Sequence, residues 1–121
     1  MAKRTEGPRN EDREGESLLV QRLGSSPRIR IIDFLLDNFS TDFTKKEISE
    51  SLRISMKTFT KNFERLEADG AVVVRRKIGR AKLFSINLKD PLIRYLRAWE
   101  IEESRRIADE ELEKHAVKAS A

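Results

Sequence analysis

The sequence predicts a mainly α-helical domain with one small β-hairpin and a long C-terminal helix, an α+β arrangement. Two short helical patterns, at 44–52 and 56–69, are separated by only three residues. Gly70 and a β-branched, basic hairpin pattern follow, and a charged helical pattern then runs from 91 to about 115. Helix, short turn, helix and hairpin in this order predict a winged helix-turn-helix, in which the hairpin is the wing.

Length and composition narrow the class of protein. A chain of 121 residues suits one domain with a single modest core. It has no cysteine, which excludes disulfides, thiolate metal sites and redox sensing through cysteine. No apolar run approaches the roughly 18 residues of a membrane span, and the polar N-terminus has no signal-peptide core. We therefore expect a cytoplasmic protein that makes no contact with a membrane.

The N-terminal residues 1–16 are rich in charged residues, glycine and proline, and are predicted to be a disordered tail. The alternative is a basic arm that enters a DNA minor groove, since Lys3, Arg4 and Arg9 are present. Five acidic residues against four basic ones in this segment oppose that alternative.

Local signals predict the first two helices. The patch from Leu18 to Leu23 is apolar and is ended by Gly24, which suits one or two helical turns. Ser26 before Pro27 is a helix start, because serine caps free backbone donors and proline fits the first helical position. This second helix is expected to run to about Asn38 and to bury one face. The buried face comprises Ile29, Ile32, Leu35 and Leu36, with Phe34 and Phe39 near its end.

Each boundary of the helix-turn-helix has a marker. Thr44 and Glu47 form a capping box, in which each side chain accepts a hydrogen bond from the other residue's backbone N–H. The turn spans 53–55, and Ser55 caps the second helix. Gly70 ends that helix in the left-handed conformation. The predicted core residues are Phe59, Phe63 and Leu66 on one narrow face, with Ile48 and Leu52 from the first motif helix.

The wing follows from the pattern after Gly70. A β-branched run predicts one strand over 71–77, a turn at 78–80 and a returning strand over 82–87. A short strand at 42–43 would fit as a further pairing partner of this hairpin.

Charge is distributed unevenly along a chain whose net charge is +4. Residues 53–82 contain nine basic and three acidic side chains, a net charge of +6. Residues 98–115 contain three basic and seven acidic ones, a net charge of −4. A polyanion would be attracted to the first segment and repelled by the second.

The exposed face of the helix at 56–69 has the chemistry of a DNA-reading helix. Lys57 and Lys61 could donate to guanine or grip phosphates, and Thr58 could contact thymine. Many surface helices expose lysine and threonine, so the helix alone does not predict DNA binding. The wing strengthens the hypothesis, because five basic residues within eight positions, with Arg80 at the tip, suit the backbone or minor groove. The predicted DNA contacts are Lys45, Lys46, Ser55, Lys57, Thr58, Thr60, Lys61, Arg65, Arg75, Arg76, Lys77, Arg80 and Lys82.

The stretches SSPRIRIIDFLL, TKKEI, NFERLEADG and RRKIGRAKLFSIN resemble archaeal winged helix-turn-helix transcriptional regulators of the broad ArsR/MarR-like type. The resemblance covers residues 17–100, places the DNA-binding domain at 17–90, and implies double-stranded DNA as partner and dimerisation through the last helix. Two positions depart from the pattern, where Ser49 replaces an alanine and Arg53 a glycine. A non-glycine residue in the left-handed conformation costs on the order of 1 kcal/mol, so Arg53 implies another turn geometry or accepted strain. Metal-sensing relatives use Cys and His clusters that this chain lacks, so we expect no metal.

Residues 91–121 are predicted to form a dimerisation helix and a short tail. Leu92, Leu96, Trp99 and Ile107 recur near helical spacing. The resemblance implies that these residues form the dimer interface, with Trp99 as its anchor. Oppositely charged pairs four residues apart support an exposed helix here. The alternative is that Leu92, Leu96 and Trp99 pack on the domain itself.

The sequence as a whole predicts a homodimeric, sequence-specific regulator that acts on double-stranded DNA, most simply as a repressor. The alternative is a protein-interaction or architectural module that binds nucleic acid without sequence preference, which Glu64 on the exposed helix face favours. An enzyme is not expected, because there is no paired histidine, glycine-rich phosphate loop or serine nucleophile motif. His115 stands alone, so neither a metal nor a cofactor is predicted.

Overall fold

The computed structural model describes residues 15–120, and the side chains of residues 15–116. The predicted N-terminal tail therefore lies outside the described residues except for Gly15 and Glu16. Within the described range the chain forms five helices and one hairpin. In order they are α1 (Leu18–Leu23), α2 (Pro27–Asp37), α3 (Lys45–Leu52), α4 (Met56–Asp69), β1 (Val72–Ile78), β2 (Ala81–Ile86) and α5 (Pro91–Ser120).

The helices begin where their capping residues predict. Ser26 Oγ accepts from the backbone N–H of Ile29 at 3.3 Å at the start of α2. At the start of α3, Thr44 Oγ1 accepts from Glu47 N at 3.1 Å, and Glu47 Oε1 accepts from Thr44 N at 2.8 Å. Ser55 caps α4 in the same way, with its Oγ accepting from Thr58 N at 3.3 Å. These bonds satisfy backbone donors that a helix start leaves free, which is why the boundaries were predictable.

The turn between α3 and α4 keeps the geometry that normally requires glycine. Arg53 has φ 56° and ψ 42°, the left-handed conformation, at a cost on the order of 1 kcal/mol. The backbone N–H of Ile54 bonds to the carbonyl of Ser49 at 3.0 Å. The guanidinium of Arg30 in α2 donates to the carbonyl of Leu52 at the end of α3. The turn therefore accepts the strain at Arg53, one of the two outcomes expected for it.

The core lies between the helix-turn-helix and the hairpin. Phe59, Phe63 and Leu66 of α4 are buried, as predicted. The ring of Phe63 stacks on that of Phe59 at 4.9 Å and meets that of Phe84 in β2 edge-on at 5.0 Å. The other buried apolar residues are Leu19, Ile31, Ile32, Leu35, Leu36, Ile48, Ala71, Val72, Ile86 and Ile93. Among these, only Ile32, Leu35, Leu36 and Ile48 were predicted as core residues. Phe39, which was predicted at the buried face of α2, is 41% exposed.

The wing is a two-stranded antiparallel hairpin whose turn is shorter than predicted. β1 and β2 pair from Val72–Ile86 at the base to Ile78–Ala81 at the tip, so only Gly79 and Arg80 form the turn. Gly79 has φ 61°, a conformation that the first residue of a two-residue hairpin turn favours. Phe43 forms an isolated antiparallel bridge with Phe84, which confirms the short pairing segment before α3.

The long last helix packs on the domain only through its first half. Ile93 is fully buried, and Leu96 and Trp99 are partly buried against the core. The guanidinium of Arg22 in α1 lies 5.5 Å from the Trp99 ring centroid. Residues 104–116 are exposed, and the helix continues to Ser120 rather than ending near residue 115. Among the described residues no helix is both long and apolar enough to cross a membrane.

Candidate nucleic-acid interface

The outward face of α4 presents the polar side chains that the sequence predicted. Ser55, Lys57, Thr58, Lys61 and Arg65 are exposed, because the opposite face is held in the core by the two phenylalanines and Leu66. Thr60 is half-buried, since it lies at the flank of the helix nearer the core. The structure therefore brings five of the six predicted residues of this helix and its cap onto one open surface.

The start of α3 and the wing meet around one cavity beside that surface. The cavity has a volume of about 440 Å³ and is lined by Lys45 and Lys46 of α3, Met56 at the start of α4, and Arg80 and Lys82 of the wing. Four basic residues, two from α3 and two from the wing, thus surround one open volume, which suits an anionic group. Met56 is 46% exposed there and was not predicted as a site residue, because an apolar residue at a helix start carries no signal for DNA contact.

Lys45 has partners inside the domain. Its Nζ lies 5.6 Å from the Phe63 ring centroid and 5.5 Å from that of Phe84. The same ammonium group is 3.9 Å from a carboxylate oxygen of Glu67 in α4. These contacts hold the side chain in place over the core rings, with its charge at the edge of the cavity. Lys46 is more open and pairs only weakly with Glu50, at 4.0 Å along the helix.

Two predicted DNA contacts in β1 are turned toward the domain body. Arg76 forms a bidentate ion pair with Asp42, with its Nε 2.7 Å from Oδ2 and its Nη2 3.2 Å from Oδ1. Arg75 donates to the backbone carbonyl of Ser40 at 3.0 Å. The hydrogen bond from the Arg76 guanidinium holds the pKa of Asp42 below its usual value. Both arginines remain exposed at the surface, but their charged groups already have partners.

The rest of the wing is open. Lys77, Arg80 and Lys82 are exposed, and none of them forms an ion pair with another side chain of residues 15–116. Arg65 in α4 differs from them, since it lies 3.8 Å from Asp69 one turn further on. Glu64 is exposed on the same face of α4, as the protein-interaction alternative requires and as a base-reading carboxylate would also require.

A cluster of three carboxyl groups lies away from this surface, between α2 and α5. One oxygen from each of Asp33, Asp37 and Glu100 lies within 4.8 Å of the others. Burial raises the pKa of Glu100 to about 6, helped by the negative charges of Asp37 and Asp33. Burial also raises the pKa of Asp33, whose Oδ1 is buried and has no hydrogen-bond partner within the described part of the chain. Such spacing is compatible with a cation, but acidic groups alone do not establish one, and the expectation of no metal stays a prediction.

Comparisons with known proteins bear on the fold. No protein-family model and no curated protein matches the sequence. Among solved structures, NadR in complex with 4-hydroxyphenylacetate is 19% identical over 82% of this chain and 72% of its own, with a TM-score of 0.53. A cysteine-to-serine mutant of ZitR from Lactococcus lactis is 20% identical over 87% and 75%, with a TM-score of 0.51. A possible transcriptional regulator from Methanosarcina mazei Go1 is 13% identical over 74% and 78%, with a TM-score of 0.50.

These likenesses confirm the predicted fold class. The chain is mainly helical with a two-stranded hairpin, and it matches winged-helix regulator structures over most of its length. At this level of identity the likeness concerns the fold alone.

Proposed function

We propose that this protein is a homodimeric transcriptional regulator that binds specific double-stranded DNA sequences and represses by occupying a promoter. The observation that carries the proposal is the division of α4 into two faces. One face is anchored in the core by Phe59, Phe63 and Leu66, and the other presents Lys57 and Lys61 to solvent beside a basic wing. The winged-helix fold shared with regulators supports the same function.

In this proposal α4 lies in the major groove and reads base edges from its first two turns. Lys57 and Lys61 lie one turn apart on the open face, so their ammonium groups can donate to guanine O6 and N7 or to flanking phosphates. Thr58 can place its methyl group against thymine. Glu64, on the same face, can accept from cytosine N4, which would make it a residue that specifies sequence.

The wing and the start of α3 supply contacts to the DNA backbone. Arg80 lies at the hairpin tip beside Gly79, and Lys77 and Lys82 precede and follow the turn. Lys46 of α3 lines the 440 Å³ cavity together with residues of the wing. A phosphate that enters this cavity would therefore contact basic residues from both α3 and the wing. Contacts of this kind position a protein on a duplex without specifying sequence.

The dimer is proposed to form through α5, on a different face from the one predicted. Leu96 and Trp99 pack on their own domain, which was the alternative interpretation of these residues. Tyr95, Ile101 and Leu112 are 75%, 52% and 69% exposed on the outer side of the helix. Leu92 is also exposed, at 56%, whereas Ile107 is at 36%. A groove of about 530 Å³ adjoins these residues, and it is lined by Leu88, Pro91, Tyr95, Ala98 and Ile101 together with Arg94 and Arg97.

A second copy suits that surface because α5 is basic near its start and acidic toward its end. In an antiparallel pairing the acidic end of each helix would meet the basic start of the other, where Arg94 and Arg97 lie. Two α4 helices would then enter major grooves on one side of the duplex, about 10 bp apart or a multiple of that. A DNA-binding protein of this kind would act in the cytoplasm and would need neither a cofactor nor catalysis.

The test is a selection from random duplex DNA with the purified full-length protein at near-physiological salt. An enriched inverted repeat with half-sites about one helical turn apart is expected. Binding that enriches no sequence and collapses as salt rises would instead indicate attraction to the backbone alone. The protein-interaction or architectural alternative would then replace the present proposal.

A further inference from the structure

The wing is fastened to the segment that precedes α3 at three points. Phe43 and Phe84 exchange two backbone hydrogen bonds, of 2.9 and 2.7 Å, which attach β2. Arg75 reaches the carbonyl of Ser40, and Arg76 grips both carboxylate oxygens of Asp42, which attach β1. The two arginines therefore tie the strand that has no backbone pairing with this segment.

A β-bulge makes this double attachment possible. Pairing runs from Val74–Phe84 to Arg76–Leu83, so Arg75 is an extra residue in β1. In a regular strand two consecutive side chains point to opposite faces, whereas a bulge turns both toward the same side. The bulge thus lets the side chains of Arg75 and Arg76 both bond to the segment 40–42. It also increases the twist of the hairpin between the bulge and the tip.

The carboxylate of Asp42 lies next to a basic surface that is proposed to bind DNA, where a negative charge is not expected. Asp42 is an acid at the root of a wing whose other side chains are mostly basic, and its side chain is 9% exposed. Its charge would be expected to repel phosphate, so its presence calls for a compensating role. The bidentate geometry with Arg76, which is planar and rigid, supplies one, because it restricts the direction in which β1 leaves the domain.

We propose that Asp42 and Arg76 form a clamp that sets the angle of the wing, so that Arg80 at its tip meets the DNA backbone. Asp42 is then a positioning residue for DNA binding, and Arg76 acts through Asp42 rather than by contacting phosphate. This inference rests on the proposed function, since it assigns roles within the same DNA-binding surface.

The variant Asp42→Asn distinguishes a positioning role of Asp42 from simple repulsion between its charge and DNA. Removing a negative charge near a polyanion should raise affinity if Asp42 has no positioning role. The clamp predicts the opposite, a loss of about three- to fivefold in affinity for the selected duplex, as suits one partly exposed ion pair. Arg76→Gln should cost a similar factor. Asp69→Asn is the matched control, since it also removes an acid paired with an arginine, and it should bind as tightly as the parent or more tightly.

The exchanged pair Asp42→Arg with Arg76→Asp distinguishes positioning from direct contact. It preserves the total charge and can restore the ion pair, so the clamp predicts recovery of most of the lost affinity. If Arg76 contacts phosphate directly, the exchanged protein should stay as weak as Arg76→Gln. Failure of the exchange to rescue, or tighter binding by Asp42→Asn, would overturn the clamp.

A second measurement tests the clamp independently of the proposed DNA-binding function. Amide hydrogen exchange in β1 and β2 without DNA should become faster in Asp42→Asn while exchange in α4 stays unchanged. If the parent protein binds no duplex, the proposed function fails, yet this exchange experiment still decides whether Asp42 holds the wing. Unchanged exchange in the hairpin would refute the clamp whatever the DNA result.

Discussion

The ammonium group of Lys45 lies 5.6 Å from the ring of Phe63, so a charge at the proposed DNA surface rests directly on the core of the domain. Phe63 belongs to α4, and Lys45 is the first residue of α3. The ring also meets Phe84 of the wing, which brings the three elements of the interface together at one side chain. The position of the basic surface therefore depends on the packing beneath it.

Replacing Phe63 with alanine should unfold the domain or leave it marginally stable. Truncation of a fully buried phenylalanine typically costs about 3–5 kcal/mol, from lost burial and the cavity left behind. Urea unfolding followed by circular dichroism measures this loss. Phe39→Ala is a suitable control, because Phe39 is 41% exposed and should cost far less. Equal losses at the two positions would contradict the assignment of the core.

Replacing Arg80 with alanine should weaken DNA binding while leaving the melting temperature nearly unchanged. Arg80 lies at the exposed tip of the wing and forms no ion pair with residues 15–116, so the fold loses nothing with it. The selected duplex should be titrated at several salt concentrations. The slope of log affinity against log salt concentration should become shallower by the amount that corresponds to about one phosphate contact. Lys89→Ala, which removes an exposed charge outside the predicted surface, should change neither quantity. A protein that melts on Arg80→Ala would show that the wing tip supports the fold.

Helix boundaries were predictable because their causes are local. The caps at Ser26, Thr44 and Ser55 and the stop at Gly70 each depend on residues within one turn. The face of α4 followed from periodicity for the same reason, so the fold class and the open face of the proposed site came from the sequence alone.

Contacts between distant parts of the chain were not predictable in this way. Arg76 and Asp42 are 34 residues apart, and nothing near either one indicates the bulge that joins them. Trp99 carries the periodicity of an interface residue, yet Arg22 and the core of its own domain cover part of it. An apolar stripe on a helix shows that a face is buried, whereas the partner that buries it depends on the tertiary fold.

Replacing Arg53 with glycine should stabilise the domain by about 0.5–1 kcal/mol, because glycine adopts the left-handed conformation without the steric cost of a Cβ atom. Arg53→Ala is the matched variant, since it removes the same guanidinium and keeps the Cβ atom. Thermal unfolding of both proteins isolates the backbone effect from any contact of the side chain. If both variants melt at the same temperature, Arg53 is not strained in the turn.

Stability should fall as pH rises between 4.5 and about 6 through the contribution of Glu100. The pKa of Glu100 rises from its ordinary value of 4.5, which applies to the unfolded chain, to about 6 in the folded chain. The folded state therefore binds the proton more tightly across this range. Glu100→Gln should remove this dependence and stabilise the protein at pH 7, by on the order of 1 kcal/mol given the partial exposure of the group. Melting curves from pH 4 to pH 7 measure both effects. A chelator should not change them, since no metal is predicted.

Replacing Ile101 with glutamate should convert the proposed dimer to a monomer, because it places a charge among the exposed apolar residues of α5, between Tyr95 and Leu112. Ile101 is 52% exposed in the single chain, so the folded monomer should tolerate the change with little loss of stability. Sedimentation velocity over a range of concentrations measures the association. Trp99→Ala provides the contrast, since Trp99 packs on its own domain and its truncation should lower the melting temperature. If the dimer survives Ile101→Glu but is lost in a folded Trp99→Ala protein, the interface lies on the face of α5 that the sequence predicted, which contains Trp99.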